Sequence, residues 1–460
     1  MSPGIGQGQS KPRPRHVGPE GRSREGSDND LSDPKVSTSY QWGDLLKPNL
    51  PPTDFDAVLS GVLRSPTEME KIDEGELQSV IDVLGQWMET KDVMDGLGKR
   101  CFLSLRDICA SRGVLPTLYT MNPVNLQRPG QAVDRGGYGD VWKGDYKGRA
   151  VAIKALRNDE ERKKIFCCEV IMWKRLSHPN TLPFLGAYIN ALELVMVSPW
   201  MEDGNIREYL LSKPHVNRLS LLVDIAQGVV YLHDMGVVHG DLKGLNILVK
   251  DNGRACLADF GFMSIALDPG TTSVTLSAGE KAKGTYPWMS PELFDPTIFD
   301  LPKCRLTKES DCYALGMVIY EVLSGRTPFE GIKKWEVPTE VIAGKRPGIP
   351  EHSSSMKGPW NLARGCWDHF PRKRPNSRTI LDRLQEAFMN TGGITHITSR
   401  EPGPMLAQGQ PAETITDMTL VPVDVSGFYK FNVGVGTRLK RALLAVRAMI
   451  KLSGKKSRLP

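Results

Sequence analysis

The 460-residue sequence predicts an α+β fold of two lobes, a small β-rich one followed by a larger helical one, preceded by a small helical unit. Three observations carry this expectation. Strand signals begin near residue 120 and run past 155, where Val141, Trp142, Val151, Ala152 and Ile153 are separated by Gly-Asp and Lys-Gly turn material. From 160 onward helical spacing dominates, so strands and helices are segregated rather than alternating as a βαβ sheet requires. Between 53 and 115 the apolar residues already recur at helical intervals. No internal repeat is found.

Residues 1–52 are rich in Pro, Gly, Ser, Arg and Asp and poor in apolar residues, too few to offset the entropy of ordering the chain, and predict a disordered arm. In the helical unit, 53–115, Phe55, Val58, Leu59, Val62 and Leu63 form one amphipathic set and Leu77, Val80, Ile81, Leu84, Trp87 and Met88 a second, with Pro66 between them. Leu97, Leu103, Leu105 and Ile108 form a third set after Gly96 and Gly98. These faces pack on one another or on the next domain, or serve a protein partner. The main domain follows over 120–390, and 391–460 is a tail.

Composition narrows the function classes. The apolar fraction of 40% and charged fraction of 24% are those of a globular chain, while 45 Gly and 33 Pro point to substantial loop and tail content. Residues 438–460 carry eight Lys or Arg and no acid, so the net charge of +6 falls to −2 without them. A nearly neutral body argues against a nucleic-acid-binding domain. In the tail, Leu439, Leu443, Val446 and Ile450 share one helical face, predicting a basic amphipathic helix over about 437–452. Its candidate partners are an anionic membrane or a calmodulin-like protein; a solvated helix is the alternative. The eight Cys are scattered without a CxxC pair, and neither a signal-like apolar stretch after Met1 nor an apolar run of 18 occurs. The expectation is reduced thiols and an intracellular, cytoplasmic protein.

The chemistry concentrates in His239-Gly240-Asp241-Leu242-Lys243-Gly244-Leu245-Asn246. Asp241 can accept a proton from an attacking hydroxyl, Lys243 can neutralise a phosphate, and Asn246 offers a carbonyl oxygen to a cation. Asp259-Phe260-Gly261 begins thirteen residues after Asn246. Upstream, Asp134-Arg135-Gly136-Gly137-Tyr138-Gly139-Asp140-Val141 reads as a turn between strands in which Gly136 and Gly139 admit a phosphate close to the backbone, or as an ordinary glycine hairpin. Lys154 ends the strand Val151-Ala152-Ile153, and Glu169 lies 15 residues on in a helical pattern with Ile165, Met172 and Leu176.

In this order and spacing the stretches resemble the eukaryotic protein kinases over roughly 120–390, nearest the serine/threonine members of the tyrosine-kinase-like group. The resemblance implies the two-lobed kinase fold, ATP and Mg²⁺ as cofactors, and protein serine or threonine as acceptor. It assigns Asp241 as base with Lys243 beside it, Asn246 and Asp259 to the metal, and Lys154 to the α- and β-phosphates, held by Glu169. Val141 and Ala152 would cover the adenine, Ser198 would guard the pocket behind it, and Met201 would supply the hinge N–H. Asp311 would anchor the catalytic loop, and Glu292 would pair with Arg374. The segment between Asp259 and Glu292, with Thr271, Thr272, Ser273, Thr275 and Ser277, would be an activation segment.

Three positions depart from the family pattern: Asp134 stands at the first glycine, Gly240 where an Arg is usual, and Ser290 in place of Ala. Without a cation at 240, activity is expected to depend weakly on phosphorylation of the activation segment. Asp134 and Gly240 also support a rival expectation, a pseudokinase scaffold that uses the same fold to bind.

Overall fold

The computed structural model describes residues 40–63, 72–91, 96–136, 139–261, 264–265, 285–348 and 356–392. All of them fall in one compact unit that begins at Tyr40. The expected activation-segment hydroxyls at 271–277 and the basic tail helix lie outside the described residues.

The helical unit consists of α1 (Pro52–Val62), α2 (Leu77–Met88) and α3 (Gly96–Arg112). A proline in the first turn of α1 costs no hydrogen bond there, since those N–H groups have no intrahelical acceptor. The second apolar set makes α2 the central helix: Val80, Ile81, Leu84, Trp87 and Met88 are all buried. Asp82, buried in the same helix, is satisfied by Thr117, whose N–H and Oγ1 donate at 2.6 and 2.9 Å. Residues 40–52, expected to belong to a disordered arm, are ordered instead. Residues Trp42–Leu46 form a 3-10 helix whose Trp42, Leu45 and Leu46 are buried, three apolar side chains that the polar composition around them conceals.

The β-rich lobe is a six-stranded antiparallel sheet of β1 (Leu126–Gln127), β2 (Asp134–Gly136), β3 (Gly139–Tyr146), β4 (Arg149–Arg157), β5 (Gly186–Ile189) and β6 (Glu193–Pro199). The strand order is β1-β3-β4-β6-β5, with β2 paired to β3. Alternation along β4 buries Val151, Ile153 and Ala155 in a small core with Val195 and Val197, and turns Ala152 and Lys154 to the other face. Between β4 and β5 runs α4 (Glu160–Lys174), started by the Asp159 carboxylate, which accepts the Arg162 N–H at 2.9 Å.

The helical lobe comprises α5 (Ile206–Ser212), α6 (Arg218–Asp234), α7 (Pro291–Phe294), α8 (Lys308–Ser324), α9 (Val337–Ile342), α10 (Lys357–Cys366) and α11 (Ser377–Asn390). Short strands β7 (Val237–Val238) and β10 (Ser264–Ile265) pair with each other, as do β8 (Ile247–Val249) and β9 (Ala255–Leu257). A capping box between Thr307 and Ser310 starts α8, and Gly325 at φ 71° ends it. One apolar core runs continuously from α1–α3 through Phe166, Val170, Ile171 and Trp173 of α4 into α6 and α8. The apolar faces that the sequence offered to a protein partner are therefore spent within the chain.

Candidate active site

The site lies where the cleft face of the sheet meets the loops around β7, β8 and β9. Directly paired residues on adjacent strands share a face, and the register pairs Val141 with Lys154 and Ala152 with Ser198. Val141, Ala152, Lys154 and Ser198 thus line one wall. Gly136 pairs with Gly139 at the facing ends of β2 and β3. Gly139 has φ 103°, and a Cβ there would come within 2.7 Å of the Ala155 carbonyl oxygen, so the close approach of β3 to β4 at this position requires glycine. Asp134 is exposed at the start of β2. Beyond β6, Met201 accepts the Gly204 N–H at 3.1 Å, while its own N–H has no acceptor among the described residues.

Lys154 joins three separate stretches of chain. Its Nζ lies 3.3 Å from Glu169 Oε1 on α4 and 2.7 Å from Asp259 Oδ1 after β9. Burial works to lower the lysine pKa, but the two carboxylates outweigh it and raise it, so the ammonium is held charged. Burial also pushes up Glu169, against the pull of Lys154. At Asp259 the same burial is overcome by Lys154, and the carboxyl is held below the ordinary value. Asp259 takes φ 60°, a left-handed backbone that costs a non-glycine residue about 1–3 kcal/mol. Gly261, two residues on, leaves room for Glu169: a Cβ there would meet Oε2 at 3.2 Å.

The thirteen-residue spacing from Asn246 to Asp259 is the length of a hairpin. Pairing of β8 with β9 brings its two ends together, and the Ala258 N–H donates to the Asn246 carbonyl at 2.9 Å. Asn246 Nδ2 donates to the Asp241 backbone carbonyl and to Asp241 Oδ2, each at 2.9 Å. That leaves Asn246 Oδ1 as the group's oxygen donor. Lys243 Nζ lies 2.6 Å from Asp241 Oδ2 and 3.3 Å from Thr285 Oγ1. Both bonds to the Asp241 carboxylate fall on Oδ2. Burial raises the Asp241 pKa, with Lys243 opposing it.

The loop is suspended from α8. Asp311 accepts the His239 N–H at 2.8 Å and the Gly240 N–H at 2.9 Å, and lies 3.0 Å from His233 Nε2 on α6. Gly240 has φ 81°, a conformation open to glycine, so the residue that departs from the family pattern is suited to its backbone. Arg374 forms two parallel 2.7 Å bonds to the Glu292 carboxylate, both side chains buried.

Two contributors were not singled out from the sequence. Glu321 is buried on α8, where its Oε2 accepts the Gly244 N–H at 2.9 Å and Trp288 Nε1–H at 3.0 Å. The signal was present, a lone carboxylate in the apolar run Met317-Val318-Ile319-Tyr320-Glu321-Val322. Trp173 on α4 lies 5.6 Å from Phe260 between ring centroids, and no local pattern pairs those two residues.

Hard oxygen donors at Asn246 and Asp259 suit a small divalent cation, which accepts carbonyl and carboxylate ligands. Among the described residues no group of three or more His, Cys, Asp or Glu is placed to hold a metal ion. With oxygens brought by a bound phosphate, this pair could complete the shell of such a cation. The arrangement can bind a polyphosphate at Lys154 and deprotonate a hydroxyl at Asp241.

Comparison with known proteins gives the same direction. Residues 128–384 match the profile of the family described as protein tyrosine and serine/threonine kinase. The chain is 31% identical over 57% of its length to the serine/threonine-protein kinase STY46 of Arabidopsis thaliana, covering 44% of that protein. It is 34% identical over 56% of its length to a probable LIM domain-containing serine/threonine-protein kinase of Dictyostelium discoideum, covering 38% of it. To the serine/threonine/tyrosine-protein kinase HT1 of Arabidopsis thaliana it is 32% identical over 55% of its length, covering 64%. The chain thus spans less than two thirds of each relative.

Proposed function

This chain belongs to the protein tyrosine and serine/threonine kinase family, and we propose that it is an active serine/threonine protein kinase of the tyrosine-kinase-like group, using ATP and Mg²⁺ in intracellular signalling. The observation that carries this reading is the Lys154 ammonium, held at 3.3 Å by Glu169 and at 2.7 Å by Asp259. A scaffold has no chemical need of that triad together with Asp241, Lys243 and Asn246.

Lys154 binds the α- and β-phosphates as a fixed charge. Val141 and Ala152 cover the adenine, the Met201 N–H meets its edge, and Ser198 sits behind it. Mg²⁺, when bound, neutralises phosphate charge, and Asn246 Oδ1 with the Asp259 carboxylate are the ligands this chain offers. Asp241 orients the acceptor hydroxyl and takes its proton. Lys243, between Asp241 and Thr285, stabilises the charge that develops on the transferred phosphoryl group and favours serine or threonine acceptors. Eight free cysteines suit a reducing, cytoplasmic setting. Among the described residues no helix is long and apolar enough to cross a membrane.

The test is transfer of radiolabelled γ-phosphate to a mixed Ser, Thr and Tyr peptide set, with and without Mg²⁺, by the intact chain and by Asp259→Asn. Label is expected on Ser and Thr, dependent on Mg²⁺ and lost in the variant. Label on Tyr alone would overturn the acceptor assignment. Nucleotide binding without transfer would favour the scaffold, which Asp134 and Gly240 support.

A further inference from the structure

We propose that Arg175, immediately after α4, is a positioning residue for phosphoryl transfer: it clamps α4 to the helical unit and so holds Glu169 and Trp173 on the cleft. The inference rests on the kinase reading above. Its partners lie outside the family-matched region, in the part of the chain to which that reading gives no role.

The guanidinium donates from Nη1 to the Met88 carbonyl at 2.6 Å and from Nη2 to the Lys91 carbonyl at 3.2 Å. These carbonyls lie at and just beyond the end of α2, where helix carbonyls lack intrahelical donors and the helix dipole favours a cation. Glu89, in the same turn, is 4.0 Å from Arg175 and 3.8 Å from Lys174. Lys174 Nζ also sits 5.6 Å from the Tyr119 ring centroid. Alongside this polar clamp, α3 packs on α4, with Leu105, Ile108 and Cys109 in one core with Phe166, Cys167 and Val170. Arg175 Nε is buried with no acceptor among the described residues, an unfavourable placement that the two carbonyl bonds offset.

The same helix carries the site contacts. Glu169 is six residues before Arg175, and Trp173 is two before it. Trp173 donates from Nε1 to the Leu182 carbonyl at 2.7 Å and packs its ring against Phe260, next to Asp259. A helix moves as a rigid rod on this scale, so a shift at the clamp carries Glu169 with it. Misplacing a reacting geometry by roughly 1 Å costs on the order of a hundredfold in rate. The helical unit is thus a built-in brace on the lysine-binding helix.

The experiment compares the full chain with Arg175→Met and Arg175→Lys, well below the melting temperature of each. It reads peptide phosphorylation kinetics and amide hydrogen exchange, with α6 and α8 as internal reference. Arg175→Met is expected to speed exchange across 160–175 but not in α6 or α8, to raise KM for ATP, and to lower kcat/KM at least tenfold. Arg175→Lys, which can keep one carbonyl bond, should recover part of the loss. A purely structural contact would lower the melting temperature and leave kinetics per folded molecule unchanged; kcat/KM within twofold of wild type overturns the proposal. If Arg175→Met does not fold, Lys174→Ala carries the same comparison, because it removes the Glu89 and Tyr119 contacts from a side chain 26% exposed. An inactive wild-type chain would mark failure of the kinase reading itself, an outcome distinct from an active, unperturbed variant.

Discussion

At Asp241 burial and a neighbouring cation act in opposite directions, and burial prevails, so the carboxyl holds its proton to a higher pH than an exposed aspartate. A protonated base cannot accept the substrate proton. The acid limb of kcat/KM should therefore fall off as pH drops through a value above the ordinary 3.8. A pH–rate profile with fixed Mg²⁺ and ATP checks this. Lys243→Met, which removes the group opposing burial, should move the limb further upward even as it lowers the maximum. At this scale the sequence was informative where chemistry and spacing coincide: a lysine among apolar strand residues, fifteen positions before a glutamate in a helical pattern, was expected to pair with it, and the two lie 3.3 Å apart. The third partner, Asp259, was expected at the metal and not as the nearest carboxylate to Lys154. That contact depends on how β9 delivers the residue, with its backbone at φ 60°.

Among the elements, the loop at 239–246 is held by α8 through Asp311 and Glu321, and Arg374 ties α8 to the segment before α11 by donating to the Glu309 carbonyl at 3.0 Å. The Arg374–Glu292 pair ties that segment to α7 with both charges buried. Removing one partner leaves an uncompensated buried charge, so Arg374→Met should cost about 3–5 kcal/mol, read as a lowered denaturant midpoint. Replacing both partners with apolar residues of similar volume should cost much less. This pair was legible because it rests on a motif, whereas the docking of α3 on α4 was not. Helical periodicity in 53–115 reveals which face is apolar but not what covers it, and Arg175 reads from sequence as an ordinary charged residue after a helix. The helix at Trp42–Leu46 was missed because its three apolar residues sit in a stretch whose average composition is that of a disordered arm.

For the whole molecule, the continuous core from α1 to α8 makes the helical unit, α4 and the helical lobe one packed body, while the outer face of the sheet closes on a second, smaller core. The two-lobed α+β kinase fold is what the chain adopts, but the change in periodicity near 160 did not mark the end of the sheet, since β5 and β6 follow α4 and complete it. Juxtaposition of the lobes was not readable, since it is set by loop lengths and by packing between surfaces far apart in sequence. In the proposed function these lobes assemble a working phosphotransfer site with Asp241 as base. Single-turnover transfer from pre-bound ATP to a saturating Ser/Thr peptide tests it most directly, with ATP affinity measured in parallel for wild type and Asp241→Asn. The predicted result is a chemical step slowed by roughly 10²- to 10⁴-fold in the variant with ATP affinity unchanged; equal rates in the two proteins, or no transfer by a wild-type chain that binds ATP, would contradict it.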